Sequence, residues 1–188
     1  GLDVGVFNSR AEEAGEDDTV SSYVGRLTVT LLEGISFGAS YTSSLAAADS
    51  FNEQVQGELA DDVAGYSAFV TATFIEKLTV AAEFVAAVNS FEAGEIYDGA
   101  DTKKRTPKAW NVEVGYAFSD TLDAGFRYGG SKDGDAGTGE FLPETQVGAV
   151  LNWGVYDKTG LSLEYLHSSY EGNYMDADTV TAKLAVEF

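Results

Sequence analysis

A period of two that recurs about ten times, broken by connections of alternating length, is the feature that most restricts this chain. Successive side chains of a β-strand point to opposite faces, so apolar–polar alternation marks a strand with one apolar face. In Ile35–Thr42, the residues Ile35, Phe37, Ala39 and Tyr41 oppose Ser36, Gly38, Ser40 and Thr42. In residues 179–188, Val180, Ala182, Leu184, Val186 and Phe188 alternate with Thr179, Thr181, Lys183, Ala185 and Glu187. The same reading gives strands near residues 1–8, 20–31, 65–74, 78–86, 110–118, 122–129, 146–155 and 161–165. Glu33-Gly34, Glu76-Lys77, Ser119-Asp120 and Asp157–Gly160 form short turns, whereas residues 10–19, 43–62, 89–108, 130–144 and 171–178 form long polar loops.

Short turns on one side and long loops on the other are the requirement of an all-β, antiparallel up-and-down transmembrane barrel. A soluble sandwich crosses between its sheets and does not keep that alternation. The reading is therefore a single domain over residues 1–188, ending on an aromatic strand as bacterial outer-membrane barrels do. The chain contains 21 Gly, 10 Tyr, 11 Phe and only 2 Pro, which suits many strands joined by tight turns. No apolar run reaches the roughly 18 residues of a membrane helix, an absence without meaning for a strand-built protein. With 31 acidic against 11 basic residues, the net charge of −20 argues against a nucleic-acid partner. There is no Cys, so disulfides and thiolate metal sites are ruled out. The first residue is Gly and no basic-then-apolar leader follows, as in a mature, trimmed or partial product.

The polar face is mostly Gly, Ser, Thr and Ala, with Arg26, Glu83, Glu113, Asp123, Arg127, Glu164 and Lys183 as its charges. A solvent-facing coat would be more heavily charged, so these seven are expected to line a lumen. Opposed charges across water would orient solutes and set ion preference; paired with one another, they would close the lumen instead. Aromatics are expected to form two interface girdles. Tyr41, Tyr66, Trp110 and Tyr128 fall on the loop side, and Phe74, Phe118, Trp153 and Phe188 on the turn side.

Conventional catalytic chemistry is thin. His167, the one histidine, shares the apolar phase with Tyr165, which suits a rim residue touching headgroups or solvent better than a base aimed at a nucleophile. The run Asp133-Gly134-Asp135-Ala136-Gly137 opens like a calcium loop but lacks its third acid and its bidentate Glu. The clusters Glu12-Glu13-Glu16-Asp17-Asp18 and Asp61-Asp62 read as solvated loop tips, with recruitment of divalent ions between headgroups as the alternative. No enzyme activity, cofactor or metal site is expected.

Five segments carry a resemblance: GVFN near the start, AWNVEVGY from Ala109, FLPETQ from Phe141, LSLEYLH from Leu161 and DTVTAKLAVEF from Asp178. Together they resemble the carboxy-terminal half of LbtU-type siderophore porins. The resemblance implies a Gram-negative outer-membrane barrel that passes small solutes, ferric siderophores among them, without a plug domain. It also implies, as partners, outer-membrane lipid and lipopolysaccharide, the barrel-assembly machinery acting on the C-terminal strand, small-molecule solutes and, as an open question, further copies of the chain. It transfers no binding residues. Family members have a comparable length of chain before GVFN, so two arrangements fit: a ten-stranded barrel closing on itself, or the second half of a larger one. The alternative function is a structural or adhesion barrel with a closed lumen and partner-binding loops.

Overall fold

The computed structural model describes residues 1–7, 21–57, 59–136, 139–140, 142–170 and 175–186. Ten long strands form one antiparallel sheet: β1 (Leu2–Phe7), β2 (Ser22–Leu32), β3 (Ile35–Thr42), β4 (Gly65–Phe74), β5 (Leu78–Ala87), β6 (Lys108–Ser119), β7 (Leu122–Lys132), β10 (Thr145–Tyr156), β11 (Thr159–Ser169) and β12 (Ala177–Val186). Each pairs with its sequence neighbours, and β7 pairs directly with β10. Between these two lies a hairpin of two-residue strands, β8 (Asp135–Ala136) and β9 (Gly139–Glu140). The sheet is thus up-and-down throughout, as the alternating connections require. It is open: β1 and β12 are its two edges and do not pair with each other.

Strand boundaries differ from the sequence reading mainly on the loop side. β7 runs on to Lys132, β11 to Ser169, and β6 starts at Lys108. Polar and glycine residues at these ends break the apolar rhythm, yet the backbone ladder continues through them because it needs only N–H and C=O groups. Asp178, expected in the last loop, lies inside β12 opposite His167. The Glu76-Lys77 turn is centred one residue earlier: Ile75 and Glu76 both take positive φ, 52° and 57°. Two left-handed residues match the strand twist in a tight hairpin, even though a β-branched Ile is sterically disfavoured there.

The ladders fix the faces. One inner row runs Thr28, Gly38, Phe69, Glu83, Asn111, Gly129, Gln146 and Ser168 across eight strands. The other face carries Val70, Val112, Val114, Phe126, Leu151, Leu163, Val180 and Leu184, all partly or largely exposed. Gly38 is required by its setting: a Cβ there would sit 2.5 Å from the Leu27 carbonyl and 2.7 Å from the Phe69 ring.

The best-buried side chains are not in the sheet. The connections expected as polar loops at residues 43–62 and 89–108 pack against one another, around Phe51, Val63, Phe91, Ile96 and Tyr97. Phe91 is 0% exposed and Ile96 1%. The ring of Phe51 lies 5.5 Å from Phe91 and 6.1 Å from Tyr97. A single helical turn, α1 (Asp49–Asn52), carries Phe51. Backbone hydrogen bonds tie the two loops together, from Tyr97 N–H to the Gln54 carbonyl (2.7 Å) and from Gln56 N–H to the Glu95 carbonyl (2.8 Å). In the first loop Phe51, Val55, Leu59 and Val63 recur every four residues, a signal that a strand-period reading passes over, whereas Phe91, Ile96 and Tyr97 in the second follow neither period.

Candidate functional site: the polar face and its loop end

Alternation along each strand brings all seven charges expected inside onto one face. Glu113 of β6 is the register partner of Arg127 of β7. The Asn111 side-chain amide donates to Glu113 Oε1 at 2.8 Å, and Arg127 Nε donates to Asn111 Oδ1 at 3.0 Å. Arg127 Nε is 4.0 Å from Glu113 Oε1, with both side chains about half exposed (44% and 52%). A pair so open to solvent contributes little to stability; the closer contact on the guanidinium is the one to Asn111.

Nearer the turns, Asn152 donates to Asp123 Oδ1 at 2.8 Å, and Ser162 donates to Asn152 Oδ1 at 2.7 Å. Ser162 is in turn the register partner of Lys183. Glu83 lies between Phe69 and Asn111, and Glu164 between Val150 and Thr181. Arg26, opposite Asp3 on β1, stands over the Phe69 ring at 5.0 Å, a cation–π distance. Glu83, Asp123, Glu164, Arg26 and Lys183 form no ion pair with any described residue. Full cross-pairing of the inner charges is therefore not what this face presents; Glu113–Arg127 is its one ion pair among the described residues.

Two hollows adjoin Arg127. One, of about 350 Å³, lies over Gly115, Gly125 and Gly148 and is bounded by Glu113, Arg127 and Glu164. Gly115 leaves its part of the floor open, whereas the side chains of Val150 and Leu166 reach over Gly125 and Gly148. The other, of about 160 Å³, lies between Glu83, Asn111, Arg127 and Gln146 on the sheet and Leu142 and Pro143 of the β7–β10 connection. Ser131 of β7, on the inner face, donates to the Pro143 carbonyl at 2.8 Å and holds that connection over the sheet. The loop core leans the same way, since the inner-face residue Ala87 belongs to it. The polar face is thus covered in part at its loop end and bare toward the turns.

Within the loop core, Arg105 Nε donates to Asp101 Oδ2 at 2.6 Å, with the side chains 16% and 8% exposed. That hydrogen bond holds the Asp101 carboxyl below its ordinary value and raises the Arg105 guanidinium. Nothing in the local run Lys103-Lys104-Arg105 signals that its last member turns inward.

His167 sits on the apolar face, as its phase implied, but it has an acidic partner that sequence reading missed. Its Nδ1 lies 2.9 Å from Asp178 Oδ1, and the Tyr165 hydroxyl donates to the same oxygen at 2.6 Å. A hydrolytic arrangement needs the nucleophile bonded to the imidazole; here the tyrosine is bonded to the acid. The cluster ties edge strand β12 to β11. Phe69 was also missed: it lies inward, against the apolar expectation for its residue type, and the period of two was the signal that could have placed it.

The seven expected girdle residues among those described lie on the apolar face. Tyr41 and Tyr66 are register partners, Trp110 is two residues from the start of β6, and Tyr128 is opposite Val112. Phe74, Phe118 and Trp153 lie toward the turns, where Phe118 packs edge-on to Tyr116 at 5.0 Å. Tyr23 stacks on Tyr41 at 5.9 Å and extends the loop-side set. Phe188 and the acidic run 12–18 lie outside the described residues, as do Gly137 of the calcium-like run and Phe141 of the FLPETQ segment. Asp135 of that run pairs with Glu140 in the β8–β9 hairpin. Among the described residues no three His, Asp or Glu side chains gather as a metal site would require. Compared with protein-family models, curated proteins and solved structures, the chain matches none.

Proposed function

We propose that the chain forms the wall of a bacterial outer-membrane β-barrel that acts as a passive porin for small solutes, with ferric siderophores as the solute class its LbtU-type resemblance implies. The observation that carries this reading is the polarity of the sheet. One face is apolar from edge to edge, with Phe126, Leu151, Trp153, Leu163, Val180 and Leu184 each at least 46% exposed. A patch of that extent is untenable in water and is the ordinary outer surface of a barrel in lipid. The opposite face is glycine-rich and carries charges that lack ion partners among the described residues, which suits an aqueous lumen.

Closure requires β1 and β12 to find partners, because open edges are not tolerated in a bilayer. Their faces match: Leu2, Val4 and Val6 share a phase, as do Val180, Leu184 and Val186. The partners are either each other or strands of a larger barrel. Loops folded over the loop end of the polar face would narrow the entrance, and Arg127, standing between two hollows, would act on the permeating ion.

Single-channel recording in a planar bilayer tests the reading. Stable ohmic steps are expected, with a reversal potential in a salt gradient that moves when Arg127→Gln removes a lumen cation. A folded, heat-modifiable protein that passes no current would refute the porin. It would leave the second reading, a closed structural or adhesion barrel, which the packed loop core favours because ordered loops offer a partner a preformed surface.

A further inference from the structure

The apolar face of the sheet carries very few charged groups, and two of them are lysines standing side by side. Among the strand residues described, Arg26, Arg127 and Lys183 point to the polar face, whereas Lys108 and Lys132 share the phase of Trp110 and Tyr128 on the apolar one. Lys108 opens β6, Lys132 closes β7, and the two are register partners. Direct cross-strand partners have Cβ atoms about 5 Å apart, a placement that is unfavourable for like charges. Neither lysine forms an ion pair with a described residue, in a chain of 31 acids and 11 bases.

Their position along the sheet is equally specific. The hydrogen-bonded row that holds them also holds Tyr41 and Tyr66, through Ala86. Trp110 lies two residues nearer the middle of the sheet. Along β6, from mid-sheet to loop end, the apolar phase therefore runs from aliphatic Val114 and Val112 to aromatic Trp110 and then cationic Lys108. Aromatic rings favour the headgroup boundary, and lysines reach past it to the phosphates while their stems stay in apolar surroundings.

We propose that Lys108 and Lys132 form a clamp for the phosphate of an anionic lipid in the leaflet on the loop side, with Trp110 against its upper acyl chain. The proposal rests on the membrane reading above. A shared phosphate relieves the repulsion between the two ammonium groups, which accounts for the tolerance of a like-charge pair on this face. Anionic lipid is the occupant because the site is on the outer surface, among residues suited to lipid rather than to the lumen.

Brominated lipids report the contact through Trp110 fluorescence. The protein carries Trp153→Phe so that Trp110 is the sole emitter, and it is reconstituted in phosphatidylcholine with a minor fraction of brominated phosphatidylglycerol or of brominated phosphatidylcholine. The preference for anionic over zwitterionic lipid read from quenching is expected to be up to about 25-fold, the product of about fivefold for each lysine at the usual strength of a basic side chain near an anionic surface. The preference should vanish in Lys108→Gln/Lys132→Gln and persist in Lys108→Arg/Lys132→Arg. Equal quenching by the two lipids, or a preference that survives the glutamine pair, would overturn the clamp. Loss of the preference on adding inorganic phosphate at the same phosphate concentration would overturn it too, because the lysines would then hold a soluble anion. Absence of quenching by either lipid would bring down the membrane reading with it.

Discussion

Placing an arginine at two depths on one strand separates a lipid-facing sheet from a water-facing one. Ala149 lies near the middle of β10 on the apolar face, between Phe126 of β7 and Tyr165 of β11. Thr145 is the first residue of the same strand and the same face, opposite Gly130 and Ser169. The four-residue separation spans about 13 Å along a strand. At a barrel tilt of 35–45° that is roughly 10 Å of depth, close to half the height of a typical apolar band. Ala149→Arg should therefore cost about 2–4 kcal/mol and Thr145→Arg about 0–1 kcal/mol. Neither change removes a large side chain, so packing loss does not confuse the comparison. Urea titration of the protein folded into lipid vesicles gives both values, provided the slope with denaturant is unchanged. Costs within about 0.5 kcal/mol of each other would refute the reasoning, since an exposed position in water tolerates arginine at either place.

Two further predictions concern the loops. Phe91→Ala should cost about 3–5 kcal/mol of loop-core stability, the usual range for a fully buried phenylalanine; native-state hydrogen exchange should show faster opening confined to residues 43–64 and 88–107, and equal acceleration in β10 and β11 would count against a separate core. Asp101 has its carboxyl lowered by Arg105, so its contribution is complete above the ordinary carboxylate value and fades as pH falls through the lowered one. Loop exchange, corrected for intrinsic rates, should then differ between the native protein and Asp101→Asn at about pH 6 and converge toward about pH 2; a difference that stays constant across that range would remove the ion pair from the account.

Much of this protein is written in its local pattern. Alternation along a strand is a property of the backbone, so ten strands, their two faces and the shared phase of Arg26, Glu83, Glu113, Asp123, Arg127, Glu164 and Lys183 follow from reading every second residue. The order of short and long connections fixes the up-and-down path for a similar reason, because a tight turn can join only adjacent antiparallel strands.

Contacts between residues far apart in the chain needed the tertiary structure. Phe51 and Phe91 meet only because β3–β4 and β5–β6 bring their long connections to the same end of the sheet. Asp178 becomes a partner of His167, and Lys108 a neighbour of Lys132, through strand register, which depends on the whole ladder rather than on either strand alone. Sequence thus determined which face each residue occupies, since that depends on its nearest neighbours. The fold alone decided which residue stands beside it, since that depends on pairing across the chain.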